Sequence, residues 1–60
     1  MTYRIESYRY PEQCWCPIES FCVAGVWIPA LGLDKNSAED LLKVCNCLLG
    51  HLYEYRIAEE

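Results

Sequence analysis

Apolar and polar side chains alternate at the start of the chain, which is the pattern of a β-strand with one covered face. In residues 2–10, Tyr3, Ile5 and Ser7 alternate with Arg4 and Glu6. The odd-numbered side chains of this first strand are therefore predicted to point into the core.

Two segments of different character follow the first strand. Residues 11–17 read Pro-Glu-Gln-Cys-Trp-Cys-Pro, and because proline lacks a backbone N–H, this segment is predicted to be a loop. Residues 20–28 are apolar nearly throughout and rich in β-forming types, as in a strand that is shielded on both faces or lies at an interface. Pro29 is predicted to end this second strand.

A helix is predicted after a turn-prone stretch at residues 30–36. Ser37 has an acid, Asp40, three residues further on, which is the pattern of a capping box. Beyond it, apolar residues recur in steps of three and four, which places them on one helical stripe facing the core. The stripe consists of Ala38, Leu41, Leu42, Cys45, Leu48, Leu49 and Leu52. Gly50 is predicted to be the C-cap.

Residues 52–59 return to strand alternation and complete a β-β-α-β chain. Such a chain is predicted to form one compact α+β domain over residues 1–60, a three-stranded, mainly antiparallel sheet with one helix packed on one face. With the first strand in the centre, the last strand runs antiparallel to it. A register that sets Ile5 opposite Ile57 also sets Glu6 opposite Arg56, which satisfies core and charge together.

Size and charge restrict the function. Sixty residues support only a small core and leave little room for an enzyme's cleft, so neither catalysis nor a cofactor is expected. A net charge of −4 disfavours phosphate backbones and anionic membranes, and a protein is the expected partner. The acidic excess also agrees with a role in solubility alone. No apolar run reaches the roughly 20 residues that cross a bilayer, and the N-terminus lacks a signal-peptide core, so a cytoplasmic location is expected.

Five cysteines, an odd number without an export signal, are expected to be reduced thiols. Cys45 and Cys47 lie two apart on the predicted helix, about 200° of rotation from each other, and do not share a ligand direction. A zinc site remains an alternative, with the candidate ligands Cys14, Cys16, Cys22 and His51. His51 alternatively interacts with the helix C-terminus, and a redox role for the first Cys-x-Cys pair lacks nearby cations.

Two surfaces are candidates for partner binding. Tyr10 and Trp15 lie in or beside the first loop, where exposed aromatic side chains anchor interfaces, although they alternatively cover the far face of the sheet or complete a small core. The other surface is acidic, and its candidate residues are Asp34, Glu39, Asp40, Glu59 and Glu60. Acids near a helix start are also expected from the helix dipole alone.

In size, acidity and β-β-α-β order, with a capped amphipathic helix leading to a Tyr-Glu-Tyr-Arg-Ile strand at residues 53–57, the chain resembles small bacteriophage proteins. Among these it most resembles anti-CRISPR inhibitors of type I surveillance complexes. The resemblance covers the overall character of the chain and includes no diagnostic motif.

The resemblance implies a stoichiometric inhibitor that docks on a nucleic-acid-binding host complex in the host cytoplasm. Inhibition would follow from carboxylates that compete for a basic channel, or from steric blocking by the apolar second strand or the aromatic loop. A monomer is favoured over a homodimer, because Ser20, Gly25 and Pro29 bound or interrupt the apolar run. The alternative is a small cysteine-rich zinc module with a structural or regulatory role.

Overall fold

A computed structural model describes all 60 residues as an α+β domain with five strands and one helix. The elements are β1 (Tyr3–Arg9), β2 (Cys14–Pro17), β3 (Ser20–Val23), β4 (Val26–Pro29), α1 (Lys35–Leu49) and β5 (Tyr55–Glu59). One antiparallel sheet has the order β2-β1-β5, and β3 and β4 form a second, two-stranded sheet. Because α1 packs on β1 and β5, the predicted fold class is confirmed.

The predicted pairing of the first and last strands is confirmed residue by residue. In the antiparallel ladder of β1 and β5, Ile5 lies opposite Ile57 and Glu6 lies opposite Arg56. Opposed residues share a face of the sheet, so this register gathers the apolar pair on one side and the ionic pair on the other. The alternation in the sequence therefore determined both faces.

The prediction of one strand over residues 20–28 is wrong, because the chain reverses in its middle. Ala24 and Gly25 have positive φ angles of 51° and 81°, and Val23 pairs with Val26 across this two-residue turn. Positive φ at both central residues gives the turn that matches the twist of a hairpin. Alanine rarely adopts this conformation, so the turn lacked the usual Asn-Gly or Asp-Gly signal.

The prediction of a loop over residues 11–17 is also wrong, since β2 lies within it. The turn is confined to residues 10–13, where the Gln13 N–H donates to the Tyr10 carbonyl and Gln13 has a positive φ of 53°. Pro17 ends the short strand rather than preventing it, because β2 is an edge strand where proline is tolerated. The strand beside β1 is thus β2, and not residues 20–28.

The helix begins earlier than predicted. Asp34 is the N-cap, and its side chain accepts a hydrogen bond of 2.9 Å from the Ser37 N–H. Ser37 is thus within the first turn rather than at the cap, which corrects the predicted capping box. Gly50 is the C-cap as predicted. No helix in the chain has the length and apolar character needed to span a membrane.

The core lies where α1, the covered face of the three-stranded sheet and the β3–β4 hairpin meet. Its buried members are Ile5, Phe21, Ala30, Leu41 and Cys45. Cys45 is buried and Cys47 is exposed, as the helical geometry predicts. Leu48 and Leu52, predicted in the stripe, are exposed. Leu48 lies in the last turn of α1, and Leu52 follows the helix end in a turn.

Candidate protein-binding groove

An open groove of about 640 Å³ lies between the end of β1, the β3–β4 hairpin and the C-terminal end of α1. Its lining is mainly apolar and aromatic, with Arg9 and Glu12 as the two charged members. The large apolar side chains exposed along it are Tyr10, Trp27, Leu52 and Tyr53, and these four residues define the apolar groove. Concave apolar surfaces with a few polar groups are the usual form of binding sites.

The four side chains are far more exposed than a role in the core would require. Trp27 is 68% exposed, Tyr10 61%, Leu52 60% and Tyr53 48%. Single exposed apolar residues are ordinary, but several large ones around one concavity are typical of interaction surfaces, which makes the groove a candidate binding site. Tyrosine and tryptophan are also the residue types that most often anchor protein interfaces.

Tyr10 is held in place by its own contacts. Its hydroxyl donates a hydrogen bond of 3.1 Å to the Glu54 carboxylate, which raises the pKa of Tyr10. The ring also contacts Tyr8 edge to face, with the ring centroids 5.0 Å apart. An aromatic side chain fixed in this way loses little further conformational entropy when a partner covers it.

Backbone hydrogen bonds bring the other walls of the groove together. In the hairpin, Trp27 lies opposite Cys22, so both alternate with Phe21, which points into the core. After the helix, the N–H groups of Leu52 and Tyr53 both donate to the Leu49 carbonyl, which turns these two residues outward. The Tyr8 N–H donates to the Glu54 carbonyl and fixes this turn to β1.

Of the predicted binding residues, only Tyr10 lies in the groove, and Trp27, Leu52 and Tyr53 were missed. Leu52 was assigned to the helical stripe and Tyr53 to a strand, because the sequence marks the helix end only by Gly50. Trp27 was assigned to a continuous strand. A hairpin centred on residues 24 and 25 would have revealed its outward direction.

Trp15 lies on the opposite face of the three-stranded sheet and is half-buried. The guanidinium carbon of Arg56 is 4.4 Å from its ring centroid, a cation–π contact. Its ring also meets Tyr8 edge to face, with the centroids 5.3 Å apart. Trp15 thus already has partners within the chain, in agreement with the alternative that it covers the far side of the sheet.

A buried carboxylate lies beside Trp15 on this second face. Glu6 is 3% exposed, and each of its oxygens accepts hydrogen bonds from one arginine, Arg4 at 2.9 and 2.8 Å and Arg56 at 2.7 Å from both nitrogens. Burial opposes ionisation, but the hydrogen bonds and positive charges of Arg56 and Arg4 outweigh it, so the pKa of Glu6 is lowered. With every oxygen satisfied, this cluster is a structural element rather than a reactive site.

The predicted acidic residues lie away from the groove. Tyr3 pairs with Glu59 on one side and with Leu33 on the other, and Glu60 accepts a hydrogen bond of 2.6 Å from the Gly32 N–H. These contacts bring Glu59 and Glu60 to the sheet end where the helix begins. With the exposed residues Asp34, Glu39 and Asp40, they form the acidic end.

Two of these acids lie at other features of the fold. Asp34 caps α1, and hydrogen bonds from the Ser37 hydroxyl and N–H lower its pKa. Asp40 lies in a shallow depression beside Ile28 and Val44. Glu39 is exposed and takes part in neither the helix cap nor the depression. A substitution of Glu39 therefore tests the charge of the acidic end without changing either feature.

The cysteines and the histidine do not form the four-ligand zinc site considered above. Cys14 and Cys16 are neighbours, with their sulfur atoms 3.5 Å apart. No group of three or more His, Cys, Asp or Glu side chains lies where it could hold a metal ion, so Cys22 and His51 do not join the pair. His51 is exposed in the turn after α1.

No protein-family model, no curated protein and no solved structure matches the chain. The features of the chain that bear on its function are therefore its own groove, charges and thiols.

Proposed function

We propose that this protein is a stoichiometric inhibitor that binds a protein target through the apolar groove, in the manner of the anti-CRISPR proteins that it resembles. The target is a nucleic-acid-binding host defence complex, and the inhibitor acts as a monomer in the host cytoplasm. It works without a cofactor and without catalysis, by occupying a surface that the complex needs.

The exposure of four large apolar side chains around one concavity carries this proposal. Tyr10, Trp27, Leu52 and Tyr53 are each about half or more exposed, and all four line the same groove. Covering such a patch with a partner removes apolar surface from water, at about 25 cal/mol per Å² before the costs of association. The groove supports steric blocking in preference to mimicry of nucleic acid.

The acidic end has a separate role in the proposal. A net charge of −4 attracts the inhibitor to a complex whose channels are lined with lysine and arginine, and this raises the rate of encounter at low salt. Because the acidic end and the groove lie at different ends of α1, charge guides the approach and the groove provides the affinity.

The test is binding to purified type I surveillance complexes, together with inhibition of their binding to target DNA. Trp27→Ala should weaken binding at least about 30-fold, the loss of about 2 kcal/mol that defines an interface hot spot. Val26→Ala is the matched control, because Val26 is exposed on the same hairpin but does not line the groove. Its affinity should equal that of the unmodified chain.

Glu39→Lys separates the two roles. This substitution should slow association and reduce its salt dependence, while the dissociation rate stays the same. Equal affinity of Trp27→Ala and the unmodified chain would eliminate the groove as the contact. Failure to bind any surveillance complex would instead reject the target class and leave the groove to be tested on other proteins.

A further inference from the structure

The two thiols of β2 form a chelating pair. Residues two apart in a strand share a face, and the sulfur atoms of Cys14 and Cys16 lie 3.5 Å apart. Cys14 is exposed and Cys16 is half-buried, so both can be reached from solvent. The same Cys-x-Cys spacing in α1 directs Cys45 into the core and Cys47 to solvent, so only the strand presents two sulfur donors together.

The presence of only two sulfur donors restricts which metal ions the pair can bind. No third His, Cys, Asp or Glu joins this pair, and a structural zinc site needs four protein ligands. Two thiolates alone suit a soft ion that accepts two ligands, and thiolate donors select Cu(I). With metal–sulfur bonds of about 2.3 Å, as for zinc, two sulfur atoms in line across one ion are about 4.6 Å apart. The sulfur atoms would therefore separate by about 1 Å, which side-chain rotation of the exposed Cys14 can provide.

An internal disulfide fits the pair less well. Two steps along a strand separate the Cα atoms by about 6.6 Å, close to the upper limit of about 6.8 Å for disulfides. The sulfur atoms would have to approach to about 2.05 Å within a hydrogen-bonded strand, which is a larger displacement than metal binding needs. A disulfide between these two cysteines would therefore be strained, which favours the reduced thiols that can bind a metal ion.

We propose that Cys14 and Cys16 form a two-coordinate site for Cu(I). Binding one Cu(I) ion forms two copper–sulfur bonds and releases the two thiol protons to solvent, so the bound complex carries a charge of −1. Arg9 lies opposite Cys14 in the ladder of β1 and β2, where its positive charge favours that anion, while the nearby Glu12 opposes it. The site lies at the sheet edge and is independent of the proposed inhibition.

The test is an anaerobic titration of the reduced full chain with Cu(I) held by a chromophoric bidentate chelator. We expect one ion per monomeric chain. Cys14→Ser and Cys16→Ser should each weaken binding by about 100-fold or more, because the second thiolate binds at a high effective concentration. Cys22→Ser and Cys47→Ser are the controls and should retain the full affinity. Melting temperatures show that each variant folds.

Four results would overturn the site. Retention of affinity within about threefold by Cys14→Ser or Cys16→Ser would mean that the pair does not chelate. An equal loss in Cys47→Ser or Cys22→Ser would place the ion elsewhere. Binding of Zn²⁺ as tight as that of Cu(I), or one ion per two chains, would show that further ligands complete the site.

Discussion

The two faces of the three-stranded sheet exclude water in different ways. On one face, α1 covers apolar side chains, and Ile5 and Cys45 are fully buried. On the other face no helix or second sheet is packed, yet Glu6 is nearly as buried, because Arg4 and Arg56 hold its carboxylate and Trp15 packs on Arg56. A layer of secondary structure is therefore not needed to desolvate a residue when long neighbouring side chains bury their stems along the sheet.

The largest expected effect comes from the face beneath the helix. Ile5→Ala should lower the free energy of unfolding by about 2 to 5 kcal/mol, because it removes apolar contacts and leaves a cavity at the centre of the core. Leu41→Ala should act similarly from the helix side, while Leu48→Ala, on an exposed helical position, should change stability by less than about 0.5 kcal/mol. Urea denaturation measures all three. Equal effects of the two leucine substitutions would mean that α1 is rotated from the position described.

The ionic face should respond less to a substitution of the same kind. Glu6→Gln keeps the shape but removes the charge from two pairs of hydrogen bonds, and hydrogen bonds to charged groups contribute about 1.5 to 3 kcal/mol. Since Arg4 and Arg56 are 34% and 49% exposed, solvent screening should reduce the loss to about 1 to 2 kcal/mol. Glu19→Gln is the exposed control. A more stable Glu6→Gln variant would show that desolvation outweighs the pairing.

Acid should weaken the ionic face selectively. The pKa of Glu6 is lower in the folded chain than in the unfolded chain, so the unfolded state binds more protons as pH falls. The stability from Glu6 is therefore complete above the unfolded pKa of about 4.3 and is lost as pH falls through the folded value. Unfolding measured from pH 6 to pH 3 should bring the unmodified chain and Glu6→Gln closer together. A constant difference would contradict this assignment.

Alkali should weaken the covered face in the same way. Burial raises the pKa of Cys45 to about 11, so above pH 9 the unfolded chain loses this proton and the folded chain keeps it. The free energy of unfolding should be lower at pH 10 than at pH 8 by about 1 kcal/mol, since one pKa unit corresponds to about 1.4 kcal/mol. The variant Cys45→Ala should lack this part of the decline. An identical alkaline slope in both proteins would assign the decline to other groups.

The smallest effect is expected for the aromatic cover of the ionic face. Trp15→Leu keeps much of the apolar area but removes the edge-to-face contact with Tyr8 and the cation–π contact with Arg56, of which the latter contributes about 0.5 to 1 kcal/mol at a partly exposed site. Thermal unfolding at low and high salt measures it, with Tyr53→Leu in the groove as the control. A loss above about 2 kcal/mol would mean that Trp15 also orders β2.

Sequence reasoning predicted these two faces but not the groove. The alternation of apolar and polar residues in β1 and the pairing of opposite charges with β5 are satisfied together by one register. The positions of Ile5 and Glu6 in the sheet could therefore be predicted. The groove depends on where the chain turns, and Ala24 and Gln13 adopt positive φ angles that their residue types rarely show. The positions of Trp27 and Leu52 depend on such turns and on how much of α1 the small sheet covers, which no short-range pattern contains.

The burial of Cys45 makes the rate at which a reagent labels its thiol a measure of how often the domain opens. All five cysteines are free, and only Cys45 is fully buried, so a thiol reagent modifies the others in the folded chain and reaches this one only when α1 separates from the sheet. When closing is faster than modification, the labelling rate of the last thiol reports the population of open molecules. A partner seated against Leu52 and Tyr53 would hold the end of α1 closed and slow that last labelling step. Mass spectrometry of one native cysteine would then register occupancy of the groove without a dye or a tag.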